Sequence, residues 1–381
     1  MGTNAIFSTH TWAAVPFWFW AVCFFAFGCI VGSFLNVCIH RMPRGLSIVS
    51  PPSHCPHCKY SIPWYLNVPL LTWLVLRGRC KNCGSTISPR YFIVELLTGV
   101  AFLGCWFKFG DVAHPLPTIP LALVYMFLLA GLITATFIDF EHFIIPDEIT
   151  LGGIVVGLLL SFLLPQLQDT TLHRESLLHS VIGAVAGAAI VYGVLRMGKL
   201  LFGRLRLKFP ENTKLHFSET ALHLPGQEIS YGDLLHRKSD TIVLTASTVE
   251  LVDRGYKDVK VRLSRSALEI GEDKFSPDDV PFMECVSTGV VLPREAMGLG
   301  DVKFMSAIGA FVGWQGVVFS LLGSSMIGAA MGLILIISGR REFSSKTPYG
   351  PYIALAAVIW LFVGKQYSVL LFPGLPGAHI P

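Results

Sequence analysis

Only 14% of these 381 residues are charged, against about 25% in a soluble protein. A shortage of that size excludes a simple soluble globule. In its place stand 52% hydrophobic residues and several apolar runs near the ~20 residues a helix needs to span a bilayer. The expected fold is an α-helical polytopic membrane protein. The charge that exists is concentrated, since Arg204 to Glu284 holds 26 of the 54 charged residues. One soluble insertion therefore interrupts a membrane body. Its 12 basic and 14 acidic residues, in a chain of net charge +4, offer no continuous cationic surface for phosphates, which excludes nucleic acid as a partner. A basic region before the first apolar stretch is also missing. Ala13 to Ile39 is too long for the core of a cleavable signal and is expected to remain as the first span.

Apolar runs bounded by polar turns predict about eight transmembrane helices, near 15–38, 92–109, 117–138, 149–165, 179–198, 302–314, 316–338 and 349–364, from hydropathy and periodicity. The sixth is short and pairs with the seventh through Gly313 and Gly316. Acidic residues are absent from His40 to Arg90, which carries seven Lys or Arg, so the positive-inside rule makes this loop cytoplasmic. Both termini then lie outside. The basic clusters Arg196/Lys199/Arg204/Arg206 and Arg340/Arg341/Lys346 fall inside, and isolated charges such as Lys108, Arg174 and Lys365 fall opposite. The resulting division is a first span at 1–38, a cytoplasmic loop at 39–91, spans two to five at 92–206, a β-rich insertion at 207–290, and spans six to eight at 291–381.

Within the insertion, segments such as Thr241 to Thr245 and Val259 to Leu263 alternate apolar and polar residues between Gly, Pro and Asp, the pattern of strands and turns. Lys214 to Leu234 aligns without gaps on Lys260 to Val280, with six identities in 21 positions, Ser218/Ser264 and Ala221/Ala267 among them. Two similar β-units are expected. The segment carries no catalytic constellation and reads as a docking or packing module.

Nine cysteines are present, four of them as Cys55/Cys58 and Cys80/Cys83, two CxxC pairs separated by 21 residues. Four thiolates so spaced can surround one zinc ion tetrahedrally, leaving no open position for a catalytic water. The alternative is two disulfides, disfavoured where thiols are kept reduced. The zinc is structural on this reading, folding a loop with little core of its own. Cys23, Cys29, Cys38 and Cys105 read as small buried hydrophobes, and Cys285 is unassigned.

Carboxylates supply the second signal. Asp139 follows the third span in IDFEHFIIPD, and Asp301 precedes the sixth in GLGDVK. Two spans lie between them, and an even number of crossings returns the chain to the same side. Both aspartates therefore sit at the cytoplasmic mouth of the bundle, where an ionisable group is costly and suggests function. Two close carboxyls share one proton, so one activates water while the other acts as acid. The bland reading of Asp301 is a helix cap, and capping or dipole complementation is the reading of Asp147 and Glu148.

Taken in order, Gly32 to Arg41 (GSFLNVCIHR), the CPHC and CKNC pairs, Arg90 to Glu95 (RYFIVE), Ile138 to Asp147, Gly298 to Lys303 and Tyr349 to Tyr352 (YGPY) resemble a type IV prepilin peptidase. The resemblance implies a GxGD aspartic endopeptidase of the bacterial cytoplasmic (inner) membrane. It would cut the basic leader of type IV prepilins or type II secretion pseudopilins on the cytoplasmic side, and its catalytic aspartates match Asp139 and Asp301. It also implies a second activity, N-methylation of the new terminus with S-adenosylmethionine, associated with the cysteine loop. In Trp64 to Pro69 the family has an acidic residue before the Asn and this chain has Leu66, which bears on methylation more than on proteolysis. The 80-residue insertion is a second departure, expected to gate entry or to bind pilus or secretion machinery. Partners are then the prepilin, the bilayer and, through the loop's basic residues, anionic lipid headgroups. The rival readings are a non-catalytic membrane scaffold, in which both aspartates are caps, and a GxGD protease with other membrane substrates.

Overall fold

The structure, a computed structural model, describes residues 15–111, 115–202, 204–235, 240–293, 298–338 and 348–364. Arg340, Arg341, Lys346 and Lys365 of the expected charge bias lie outside the described residues. The chain forms two compact units, Met1–Tyr192 with Leu299–Pro381, and Gly193–Gly298.

Long apolar helices dominate the first unit: α1 (Phe17–Arg41), α2 (Pro89–Phe109), α3 (Pro115–His142), α4 (Asp147–Leu163), α5 (His173–Phe202, its last turns belonging to the second unit), α6 (Leu299–Ile337) and α7 (Gly350–Phe362). In α1, α2, α3, α5 and α6 an apolar stretch is long enough to cross a membrane, and α7 is a shorter apolar helix. Local chemistry sets the ends. Ser88 accepts the Arg90 N–H and Pro89 occupies the first turn of α2. Asp147 and Glu148 stand in the first turn of α4, where a carboxylate complements the partial positive charge of the helix start. Lys108 and Arg174, expected in loops, are residues of α2 and α5.

Helices α1 and α2 meet through Gly28 and Gly32. A Cβ on either would stand 2.7 Å from α2 backbone, at Thr98 O and Glu95 Cα respectively. Small residues four apart let backbones approach where lipid supplies no hydrophobic drive between helices.

Helix α6, at 39 residues, would run about 58 Å unbroken, nearly twice a ~30 Å hydrocarbon core. It is interrupted at Gly313 (φ 71°, ψ 176°), so the sixth and seventh expected segments are its two halves. A break frees carbonyls of the preceding turn, which apolar surroundings cannot satisfy. Gln168 Nε2 donates to Ala310 O at 3.1 Å and to Phe311 O at 3.3 Å, and Ser180 Oγ donates to Ala310 O at 2.6 Å.

The second unit is one antiparallel sheet. Its strands are β1 (Arg204–Lys208), β2 (Lys214–Ser218), β3 (Ala221–Leu224), β4 (Gln227–Ser230), β5 (Thr241–Glu250), β6 (Gly255–Ser264), β7 (Leu268–Ile270), β8 (Asp273–Phe275) and β9 (Phe282–Pro293). Their order is β4-β3-β2-β9-β5-β6-β7-β8, with β1 also on β9. The sheet is three residues wider at each end than the 207–290 read from sequence, because β1 pairs with the end of β9, Arg204 opposite Pro293. Registers recur at the 46-residue offset: His216 pairs with His223 and Leu224 with Gln227, as Arg262 pairs with Glu269 and Ile270 with Asp273. The identical Ser and Ala make the same turn in each half. Ser218 Oγ accepts from Ala221 N at 3.2 Å and Ser264 Oγ from Ala267 N at 3.0 Å. Cys285 belongs to this sheet's buried core, where burial pushes its thiol up to about 12.

Candidate active site and metal centre

Asp139 lies in the last turn of α3 and is 5% exposed. Its Oδ2 accepts the backbone N–H of Gly350 at 2.9 Å. Gly350 opens α7, so the donor is one of the N–H groups a helix start leaves without an intrahelical partner. The approach needs glycine, because a Cβ at 350 would stand 2.7 Å from that Oδ2 and 3.1 Å from Ile145 Cδ1. Tyr349 is anchored on α6, its hydroxyl 2.8 Å from Ser324 Oγ and 3.1 Å from Ser325 Oγ.

Asp301, 9% exposed, stands in the first turn of α6. Beside it, a Cβ at Gly300 would be 3.6 Å from Ile145 Cβ. One side chain, Ile145, thus stands where a Cβ on Gly300, next to Asp301, or on Gly350, which holds Asp139, would meet it. A second tie joins the same two motifs: Lys303 Nζ meets Asp147 Oδ1 at 2.6 Å. The structure therefore brings the IDFEHFIIPD, GLGDVK and YGPY segments together. Asp147 is an ion-pair partner there, and Glu148 an exposed first-turn residue of α4.

Sequence reasoning gave no role to the Gly350 N–H, to Ile145 or to the Tyr349 hydroxyl. A backbone donor leaves no mark in side-chain identity, and the one available signal was the YGPY string itself.

The four cysteines form a second centre. Their sulfurs all lie within 4.8 Å of one another, with Cys55 to Cys83 at 3.9 Å and Cys58 to Cys80 at 4.0 Å. Tetrahedral zinc with ~2.3 Å Zn–S bonds needs sulfurs about 3.8 Å apart, whereas a disulfide needs ~2.05 Å. Each pair sits in the same knuckle. Cys55 N–H donates to Tyr60 O and accepts at its own O from Lys59 N–H, as Cys80 does with Ser85 and Gly84. Lys59 (φ 58°) and Gly84 (φ 69°) take the equivalent left-handed position. Backbone donors at Cys58 and His57 hold the Cys55 thiol down at about 6 and Ser85 lowers that of Cys83, whereas Cys80, despite backbone donors at Cys83 and Asn82, is pushed up by desolvation and by the neighbouring Cys55 and Cys83 sulfurs. Thiolates are the metal-binding form.

Between this loop, α1 and α2 opens a cavity of about 730 Å³ lined by Asn36, Arg41, Tyr60, Leu66, Trp73 and Glu95, among others. Arg41 fixes the loop by donating to Ser47 O at 2.9 Å and Pro51 O at 2.7 Å. Arg90 pairs with Glu141, two residues beyond Asp139.

Several apolar helices, a β-rich unit and a four-cysteine cluster define an integral membrane protein with a metal-type knuckle. Comparison with known proteins makes the class specific. The bacterial peptidase A24 N-terminal domain matches residues 26–109, and the type IV leader peptidase family matches 126–204 and 281–333. The chain belongs to the type IV leader peptidase family. It is 42% identical over 185 residues to a prepilin leader peptidase/N-methyltransferase of Myxococcus xanthus (strain DK1622), covering 48% of this chain and 52% of that protein. With a protein of the same description from Aeromonas hydrophila it is 28% identical over 379 residues, covering 92% and 93%. No solved structure matches.

Proposed function

We propose that this protein is an inner-membrane prepilin leader peptidase in which Asp139 and Asp301 are the catalytic pair. The observation that carries the reading is the buried Asp139 carboxylate on the Gly350 N–H, with Ile145 in reach of both Gly350 and Gly300. Oδ2 of Asp139 accepts that N–H, so the proton shared by the dyad sits on the other oxygen or on Asp301. The ionised carboxyl deprotonates a water for attack on the scissile carbonyl. The protonated one donates to that carbonyl oxygen and later to the leaving amine. The prepilin's apolar helix lies in the membrane with its basic leader in the cytoplasm, which brings the scissile bond to the mouth of the bundle.

Sidedness follows the charge bias: loop and inserted unit inside, both termini outside, and the two halves of α6 crossing separately in a bundle of eight spans. Cys55, Cys58, Cys80 and Cys83 hold a structural zinc, supported by their sulfur spacing. The zinc organises the loop and takes no part in proteolysis. N-methylation is a second reading, supported by the 730 Å³ cavity. Its size suits a nucleoside-bearing donor, and Glu95 and the rings of Tyr60 and Trp73 suit the donor's cationic sulfonium. S-adenosylmethionine supplies the methyl group when bound. The inserted sheet is a docking module for secretion or pilus machinery.

Cleavage of a prepilin peptide by the full chain in membranes tests the proteolytic reading. Asp139→Asn and Asp301→Asn, each nearly constant in shape, are expected to abolish product at wild-type protein levels. Full activity in either mutant would remove that aspartate from the mechanism and make Asp147 the next to test, or rule out an aspartic mechanism altogether.

A further inference from the structure

The short helix Leu71–Val75 is amphipathic the wrong way round for a soluble loop. Leu71, Leu74 and Val75 stand at i, i+3 and i+4 and share a face. That face is exposed, Val75 by 79%. Trp73 turns the other way, its ring 5.2 Å from Phe92 of α2. In the preceding turn, Trp64–Leu66, Trp64 is 84% exposed and Tyr65 is exposed beside it.

Placement and charge say what covers this patch. Leu70 N–H donates to Glu95 Oε2 at 2.8 Å, which ties the start of the short helix six residues into α2, about 9 Å along its axis. Ile93, Leu96 and Leu97, at the same level of α2, are also exposed. The patch therefore continues the apolar outer surface of a helix long enough to span the membrane. Lys59, Arg77, Arg79 and Lys81 are exposed around it, Lys81 lies over the Tyr65 ring at 5.9 Å, and the loop contains no acidic residue. Exposed Trp and Tyr, an apolar face and cations of one sign are the chemistry of the membrane interface.

We propose that residues 64–75 dock into the lipid leaflet beside α2, with Trp64, Leu71, Leu74 and Val75 at the acyl boundary and Arg77, Arg79 and Lys81 on anionic headgroups. The cysteine loop is then a membrane-seated element. This goes beyond the peptidase reading and stands whether or not the loop transfers methyl groups.

The test uses the full chain in vesicles of phosphatidylcholine and phosphatidylglycerol, with or without bromines high on the acyl chains. Because the chain has eight tryptophans, the signal of Trp64 is the difference between wild type and Trp64→Phe. That difference is expected to fall about twofold with brominated lipid and to ignore aqueous iodide. Arg77→Gln/Arg79→Gln/Lys81→Gln is expected to restore much of it. Val75→Trp adds an independent probe at an exposed position, with the same expected quenching. Quenching of both probes by iodide and not by bromine overturns the proposal. So does protection from iodide that appears only on adding prepilin peptide, without bromine quenching, because the patch would then be a substrate surface.

Discussion

At the scale of single residues, the candidate site depends on a contact that only glycine permits. Replacing Gly350 by alanine would drive a methyl group into Asp139 Oδ2 and Ile145, so the carboxylate must move or lose its N–H. Catalytic groups tolerate little displacement, about 1 Å costing on the order of 100-fold. Gly350→Ala is therefore expected to lower kcat for a prepilin peptide about 100-fold. Gly152→Ala, where a Cβ meets nothing within 4 Å, leaves kcat unchanged. Equal activity in the two variants would show that the Gly350 donor does not position Asp139. The aspartates themselves were legible in the sequence, since a carboxylate bordering an apolar run stands out and the parity of the spans put both on one side. The amide that holds Asp139 was not, because every residue but proline carries one. Nor was the Lys303–Asp147 pair, whose partners are 156 residues apart in sequence.

At the scale of elements, two local structures invite a test. The first is the paired knuckle. Spacing alone marked the four cysteines, while the left-handed turn residues Lys59 and Gly84 emerged only with the backbone, lysine giving no hint of that conformation. If four thiolates share one ion, losing any one opens the site, and a loop with little core loses its fold with its metal. Cys58→Ser is expected to drop zinc from about one per chain to near none, and to make the loop sensitive to protease at peptide bonds resistant in the wild type. Metal content unchanged by the substitution would refute a shared site. The second is the break in α6. Two glycines in the sequence hinted at a turn there, but the polar groups that satisfy the freed carbonyls come from elsewhere in the chain. Gln168→Leu strips the amide from Ala310 O and Phe311 O, and one buried unsatisfied group costs about 1–3 kcal/mol. A drop of that size in unfolding free energy in detergent is expected, with Gly313→Ala costing about 1–3 kcal/mol because φ 71° with ψ 176° lies in a backbone region essentially confined to glycine.

At the scale of the whole molecule, the chain combines a family body with an insertion that has a core of its own. The family match is interrupted between residues 204 and 281, inside the segment that folds as the separate sheet. The insertion's strands and its duplication were readable because a strand with one buried face alternates, and because the same Ser-to-Ala turn occurs twice. Strand β1 was not readable, since Arg204 to Lys208 looks like the basic cluster expected after a span. Yet β1 is what makes excision feasible. Arg204 and Pro293 are paired across antiparallel strands, so the ends of the sheet lie about 5 Å apart and a short glycine linker can replace everything between them. The buried cluster from Leu215 to Leu292 leaves as one piece, so no apolar core of the sheet is cut open. The shortened enzyme is expected to cleave a prepilin peptide in detergent within a few-fold of the wild-type kcat/KM. In cells, if the sheet docks secretion or pilus machinery, the same deletion is expected to impair assembly while leader removal continues. Loss of peptide cleavage by a stably folded deletion would instead make the sheet part of the peptidase site, and the docking assignment would fall.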